Sequence, residues 1–368
     1  MPPTQPLADR IRREIHGDGP ISFARFMDLV LYDPEHGYYS RGPVGLGTTG
    51  DFFTASDVGS LFGRCVAAQI QEIYDHLGPF DPFHVIEHGC GRGLLARDVL
   101  DRLARGSGDL APRLRYLMVD RSPAMREAAR RTVPEAEALA PNEVAPGHEG
   151  CVLAVELFDA LPVHRVRRVR GRLCELRVDC NAQGEWVERQ LDAPEALRDY
   201  AERYAVAPDD GQDAEIGLEV PRVLEVIAEG LERGVLLVVD YGHPADVLYG
   251  ADRPTGTLVA YHRNTINRQF YERVGEQDLT AHVNFTALED RALELGLVVL
   301  GLTTQDRFLI ANRVLEVFEA GEPTTWREPR SVKRRMQAMQ LIHPEGMGRA
   351  FRVLALAKVA GLHRGCAG

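Results

Sequence analysis

Apolar residues recur every three to four positions through Leu7–Ile15 and through Ile21–Leu31, the spacing of helices with one buried face. Gly17-Asp18-Gly19-Pro20 between them reads as a turn. A further helix is expected from an N-cap at Ser56-Asp57 to about His76. The pattern then changes. Short, almost unbroken apolar runs occur at Phe83–Ile86, Leu114–Val119, Cys151–Val155 and Val235–Val239. Runs of that length between turn residues are strands covered on both faces. Their alternation with helical stretches predicts parallel crossovers and an α/β fold. Val163–Val169, Arg172–Cys180 and Trp186–Leu191 instead alternate apolar with polar residues, which predicts a β-meander. Helices are expected at Pro194–Ala205 and Pro221–Glu232. Residues 134–150 read as loop, and residues 245–290 as an irregular polar insertion ending in the helix Thr286–Leu295. Val298–Leu302 and Arg307–Ile310 read as late strands, residues 312–342 as helical, and Ala350–Val359 as a closing strand or helix.

The first buried strand runs into a glycine ladder, Glu87-His88-Gly89-Cys90-Gly91-Arg92-Gly93, which opens the helical stretch Leu94–Leu103. A strand that turns sharply into a helix exposes backbone N–H groups, and glycine lets a ligand lie against them. The dinucleotide pattern places its third glycine five positions after the first; here that position is Leu94, and Gly93 comes one earlier. The Gly-Lys-Ser/Thr of a phosphate cradle is missing. Glu87, two residues before the first glycine, is poor company for pyrophosphate and suits a cationic, phosphate-free nucleoside such as S-adenosylmethionine. The second run ends in Asp120, where an acid can accept both ribose hydroxyls. Standing alone, Glu87 reads as a capping or surface acid and Asp120 as an N-cap before Ser122-Pro123.

In an α/β sheet, ligands sit outside the carboxyl ends of the strands. The remaining ends carry Glu156-Leu157-Phe158-Asp159-Ala160-Leu161-Pro162 and Asp240-Tyr241-Gly242-His243. Glu156 and Asp159 are the acids expected to face an acceptor. Were that acceptor a guanidinium, carboxylates would pair with it bidentately and aim the reacting nitrogen. Asp159 also reads as an N-cap, and Glu156 as an acid bonded to loop amides. His282 reads as a site-lining residue, while His243 reads as structural or surface.

Net charge is −11, which argues against nonspecific nucleic-acid binding and suits a basic protein substrate. The six cysteines have no C-x-x-C spacing, so no metal site and a reducing compartment are expected. No apolar run reaches membrane-spanning length, and Met1–Glu14 lacks a signal core, so a cytoplasmic protein without membrane insertion is expected. Nothing here excludes a homodimer.

The ordered motifs resemble the MidA-like S-adenosylmethionine-dependent methyltransferases. They are Phe26-Met27 with Leu31-Tyr32-Asp33-Pro34 and Gly37-Tyr38-Tyr39; Gly50-Asp51-Phe52 with Thr54, Asp57 and Phe62-Gly63; and the glycine ladder after Glu87. Glu156-x-x-Asp159-Ala160-Leu161-Pro162-Val163, Asp240-Tyr241-Gly242, Gly256-Thr257-Leu258 with Tyr261, and Asp278–Phe285 complete the set. The resemblance covers about residues 7 to 360. It implies a Rossmann-like class I methyltransferase core with a helical N-terminal region and helical and β insertions. Residues 1–80 would hold the helical region and a glycine-rich lid around Gly42–Gly50, and 81–244 the cofactor-binding core. Residues 245–295 would form the substrate-side insertion and 296–368 the part that completes the core. The resemblance implies S-adenosylmethionine as cofactor and S-adenosylhomocysteine as product, held by Glu87, Gly89, Gly91, Gly93 and Asp120, with Gly50 and Thr54 beside them. A mitochondrial member methylates arginine on a partner protein, so Glu156, Asp159 and His282 are the expected catalytic residues. A cofactor-binding assembly factor without turnover and a small-molecule O- or N-methyltransferase are the alternatives. Family members carry Asn before the acid at 156, where this chain has Val155.

Overall fold

The computed structural model describes residues 6–42, 54–106, 108–206, 209–314 and 329–359. The chain forms two compact units. One takes described residues from 54–157, 224–241 and 289–359; the other from 6–42, 158–223 and 242–288. Each gathers separate stretches of chain, unlike the four consecutive blocks expected from the sequence.

The first unit is built on a sheet of β1 (Phe83–His88), β2 (Leu114–Val119), β3 (Glu137–Leu139), β4 (His148–Val155), β5 (Leu231–His243), β6 (Val298–Thr304) and β7 (Phe351–Lys358). Its main path runs β3-β2-β1-β4-β5-β7-β6. All pairings are parallel except those of β7, which is antiparallel to both β5 and β6. The order reverses between β1 and β4, which opens a crevice at their carboxyl ends. Helices Ala55–Val58 (α1), Leu61–Leu77 (α2), Leu94–Ala104 (α3) and Pro123–Thr132 (α4) follow this unit's chain. α2 buries Phe62, Val66, Ile70 and Ile73, at helical spacing, in one core with Leu95 and Val99 of α3 and Val85 and Leu153 of the sheet. Each such side chain contributes about 1.5–3 kcal/mol through removal from water.

Several local expectations change here. Arg307–Ile310 is not a strand but lies in the helix Gln305–Ala311 (α5). Gln305, Phe308 and Leu309 are buried while Arg307 and Ile310 are exposed, a period of three to four that a strand cannot give. Residues 134–150 hold β3 and the start of β4 rather than loop alone. Ala350–Val359 resolves into the strand β7. The expected helix 312–342 is seen as Pro329–Ile342, residues 315–328 being outside the described part.

In the second unit the meander forms as expected. Arg172–Cys180 pairs antiparallel with both His164–Val169 and Trp186–Asp192, and Asp213–Ile216 adds to His164–Val169. Ile21 and Ser22 pair with Val178 and Arg177, so the helix expected from Ile21 begins at Phe23. Ser22 then caps it, its hydroxyl accepting from Arg25 N–H. The polar insertion is not irregular. Val259–His262 pairs antiparallel with Thr265–Asn267 and Asp278–Thr280, and Leu258, Ala260 and Leu279 join the core of Phe23, Phe26 and Met27.

Candidate functional site

The glycine ladder turns out of β1 into α3 with Gly89, Gly91 and Gly93 all in the left-handed region. A side chain at Gly89 would press on Leu157, and one at Gly93 on Ala129 and Met118, so these two glycines permit close packing. Gly91 has open space where its side chain would be. The amides of Gly89 and Cys90 donate to Val119 O at 2.8 and 3.1 Å, which ties the turn to the end of β2. Asp120, the next residue, completes the tie: its Oδ2 accepts Gly91 N–H at 3.0 Å and its Oδ1 accepts Ser122 N–H at 2.8 Å. Asp120 does not cap α4; Ser122 does, accepting from Met125 N–H. Burial pushes the Asp120 carboxyl up to about 6, against the pull of its two amide donors.

Glu87 is buried at the end of β1 and accepts Tyr116 Oη–H at 2.7 Å. Burial raises its carboxyl to about 8 despite that bond. It is therefore largely neutral at pH 7, and it braces the strand end from within the core. Its partner Tyr116 lies on β2, two residues before Met118, the register partner of Glu87.

Glu156 follows β4 with φ of 51°, a left-handed conformation rare for a non-glycine residue. Its amide donates to Val239 O at 2.9 Å, and its Oε1 accepts Ala55 N–H, the first amide of α1, at 2.9 Å. Thr54 caps that helix in a reciprocal box with Asp57, so the expected cap at Ser56-Asp57 moves to Thr54. Asp57 also forms an ion pair with Arg92 of the glycine turn. Asp240, fully buried at the end of β5, accepts Leu157 N–H at 3.1 Å and Tyr241 N–H at 2.8 Å. Glu87, the ladder, Asp120, Thr54 and Glu156 thus belong to one unit and one connected set of bonds. Gly50 lies outside the described residues, as does most of the expected lid.

Asp159 and His282 belong to the second unit. Asp159 is buried, and its carbonyl accepts Ala281 N–H at 3.0 Å. Tyr39 Oη donates to Asp278 Oδ1 at 2.8 Å, while its ring stacks on Tyr32 at 5.4 Å. Burial, then the charge of Asp278, with Asp159 adding, raises the Tyr39 phenol well above its ordinary value. His282 N–H donates to Thr257 Oγ1 at 3.0 Å, and its ring lies 5.5 Å from that of His243. Sequence reasoning missed Tyr116, the Asp57–Arg92 pair and the Tyr39–Asp278 pair. Each joins residues far apart in the chain, and only the motif positions of Asp57, Tyr39 and Asp278 drew attention to them.

A sheet ordered in this way, with a glycine turn pinned by an acid on the neighbouring strand, is the Rossmann-like nucleoside-binding arrangement. The chain belongs to a family of S-adenosyl-L-methionine-dependent methyltransferases, whose model matches residues 65–303. It is 31% identical over 314 residues to the Drosophila melanogaster protein arginine methyltransferase NDUFAF7 homolog, mitochondrial, covering 76% of this chain and 68% of that protein. It is 27% identical over 397 residues to the human protein arginine methyltransferase NDUFAF7, mitochondrial, covering 96% and 84%. A Burkholderia thailandensis protein solved with S-adenosyl-homocysteine bound superposes with a TM-score of 0.86 at 29% identity, over 96% of this chain and 92% of that one.

The protein is a methyltransferase with S-adenosyl-L-methionine as its cofactor. Its residues fit that group. Open space flanks Gly91, and the one guanidinium of the turn, Arg92, is already paired with Asp57 rather than held for a phosphate. The cytoplasmic expectation is overturned, because these named relatives are mitochondrial proteins. An N-terminus without a signal core was not evidence of location. Among the described residues no helix is long and apolar enough to cross a membrane.

Proposed function

We propose that the protein methylates an arginine side chain of a partner protein. The observation that carries this reading is the match, over nearly the whole chain, to proteins named as protein arginine methyltransferases. The buried acids Asp159 and Asp278 around Tyr39 support it, since carboxylates are the natural partners of a guanidinium. In this reading Gly89, Gly91, Gly93 and Asp120 hold the cofactor, with Gly50 and Thr54 beside them, and Glu87 braces the turn. Bound S-adenosylmethionine supplies an electrophilic methyl group on a sulfonium. Glu156 and Asp159 orient the guanidinium, keep its charge on the nitrogens that do not react, and accept the proton released by the one that does. His282 lines the acceptor side.

The test is incubation of the purified protein with isotopically labelled S-adenosylmethionine and cell lysate, followed by acid hydrolysis. Labelled methylarginine is the expected product. Label confined to small metabolites would replace the reading with a small-molecule methyltransferase, and absence of label with an assembly factor that does not turn over.

A further inference from the structure

His282 and its neighbour Ala281 lie in a gap between two strands. Asp278–Thr280 pairs with Val259–His262, and Val283-Asn284 pairs with Gly242-His243, but residues 281 and 282 belong to neither ladder. Their amides are fixed by other means. Ala281 N–H donates to Asp159 O at 3.0 Å, and His282 N–H donates to Thr257 Oγ1 at 3.0 Å. Thr257 is itself held by Glu215, whose Oε2 accepts both Thr257 N–H at 2.7 Å and Thr257 Oγ1–H at 3.0 Å. With its proton given to Glu215, the hydroxyl has its lone pairs left for His282.

Glu215 sits in the strand Asp213–Ile216 and is 7% exposed. Burying a carboxyl there is costly unless its hydrogen bonds compensate. Both bonds from Thr257 fall on Oε2, so that residue is held by one oxygen of the carboxyl. Gly256 makes room for it: a methyl group at that position would overlap Glu215 Oε1, and the residue has φ of +67°. The neighbouring anion, Asp213, is taken up by Arg165 and Arg167. A buried acid, a glycine that admits it and a threonine that relays it thus converge on one backbone amide.

We infer that Glu215 is a positioning residue for methyl transfer, which through Thr257 fixes the backbone of Ala281-His282 and so the acceptor-side groups His282 and Asp159. This rests on the acceptor-side role given to those two residues above. It assigns Glu215, Gly256 and Thr257 a task on the acceptor side, apart from the cofactor site.

The test compares the full-length protein with Glu215→Leu, Thr257→Val and Glu215→Gln. Amide hydrogen exchange reads the strap directly and is independent of any acceptor. Exchange across residues 278–284 is expected to rise at least tenfold in Glu215→Leu and Thr257→Val, with the β1–α3 segment unchanged. Glu215→Gln keeps one acceptor oxygen for Thr257 and is expected to restore protection. S-adenosylhomocysteine affinity is expected to stay within twofold in all three variants, while labelled-methyl transfer falls at least tenfold in the first two and recovers in the third. Unchanged exchange in Glu215→Leu overturns the inference whatever the acceptor. Raised exchange with wild-type transfer overturns the positioning role alone. Raised exchange in all three, with equal loss of cofactor binding, reduces Glu215 to general stability and overturns it as well. A wild-type protein that transfers no label would sink the proposed function, while the exchange result would still decide whether Glu215 fixes the strap.

Discussion

Replacing Asp120 by Asn is the most searching test of the cofactor site. The carboxylate uses one oxygen for Gly91 N–H and the other for Ser122 N–H. An amide has a single acceptor oxygen, so one of these bonds must go while shape and volume are kept. A hydrogen bond to a charged group contributes about 1.5–3 kcal/mol. If the lost bond is the one to Gly91, the turn must be ordered again when ligand binds. That cost corresponds to an affinity roughly 10- to 100-fold weaker, at 1.4 kcal/mol per tenfold. Asp120→Ala loses both bonds and is expected to fall further, to no measurable binding, with the fold intact by circular dichroism. Isothermal titration with S-adenosylhomocysteine reads both variants. Because burial lifts the Asp120 carboxyl to about 6, wild-type affinity is also expected to weaken from pH 7 to pH 5, and this slope should vanish in Asp120→Asn. Affinity within threefold of wild type in Asp120→Ala would refute the reasoning.

Glu87→Gln tests the buried acid at the end of β1. A carboxyl whose folded pKa is raised from 4.5 to about 8 stabilises the fold fully below about pH 4.5, and that contribution is lost as pH rises through 8. Melting temperature should therefore fall between pH 6 and pH 9 in the wild type and fall less in Glu87→Gln; parallel curves would show that Glu87 does not titrate in this range. Asp159→Ala is expected to bind S-adenosylhomocysteine normally and lose at least a hundredfold in methyl transfer, with undiminished turnover moving the residue out of the catalytic set. Glu156→Ala removes the acceptor for Ala55 N–H and leaves a strained backbone at φ of 51°. It should lower stability by about 1–3 kcal/mol in urea titration as well as transfer, whereas Glu156→Gln should keep the stability and lose the transfer; equal loss of both in each variant would leave Glu156 a structural acid only.

The sheet strands were legible because a strand buried on both faces must be apolar along its buried length, and Val85-Ile86, Tyr116–Val119 and Val235–Val239 have no polar face to hide. The glycine turn was legible for a local reason too. Gly89, Gly91 and Gly93 take backbone angles that other residues avoid, so the need is written into residue type. Asp120 could be placed beside that turn because the chain between them is short, returning through helix and loop to the neighbouring strand. Arg307–Ile310 misled because a short apolar run fits either period, and only the buried trio Gln305, Phe308 and Leu309 decides for a helix. The insertion 245–290 looked irregular because its polar residues hide a small sheet whose pairings depend on partners up to about twenty residues away.

What the amino-acid order settled by itself was therefore the parallel core, its glycine turn and the acid on the neighbouring strand, since each follows from backbone conformation and burial over short stretches. What the tertiary structure alone decided was the state of the acids. Glu87 is pushed toward its neutral form by the core that encloses it, against the bond from Tyr116; Glu156 ties one oxygen to α1, and Glu215 is sunk beneath Gly256 and Thr257. A carboxylate's charge and partner depend on desolvation and on donors from distant parts of the chain, and neither exists until those parts have been brought together.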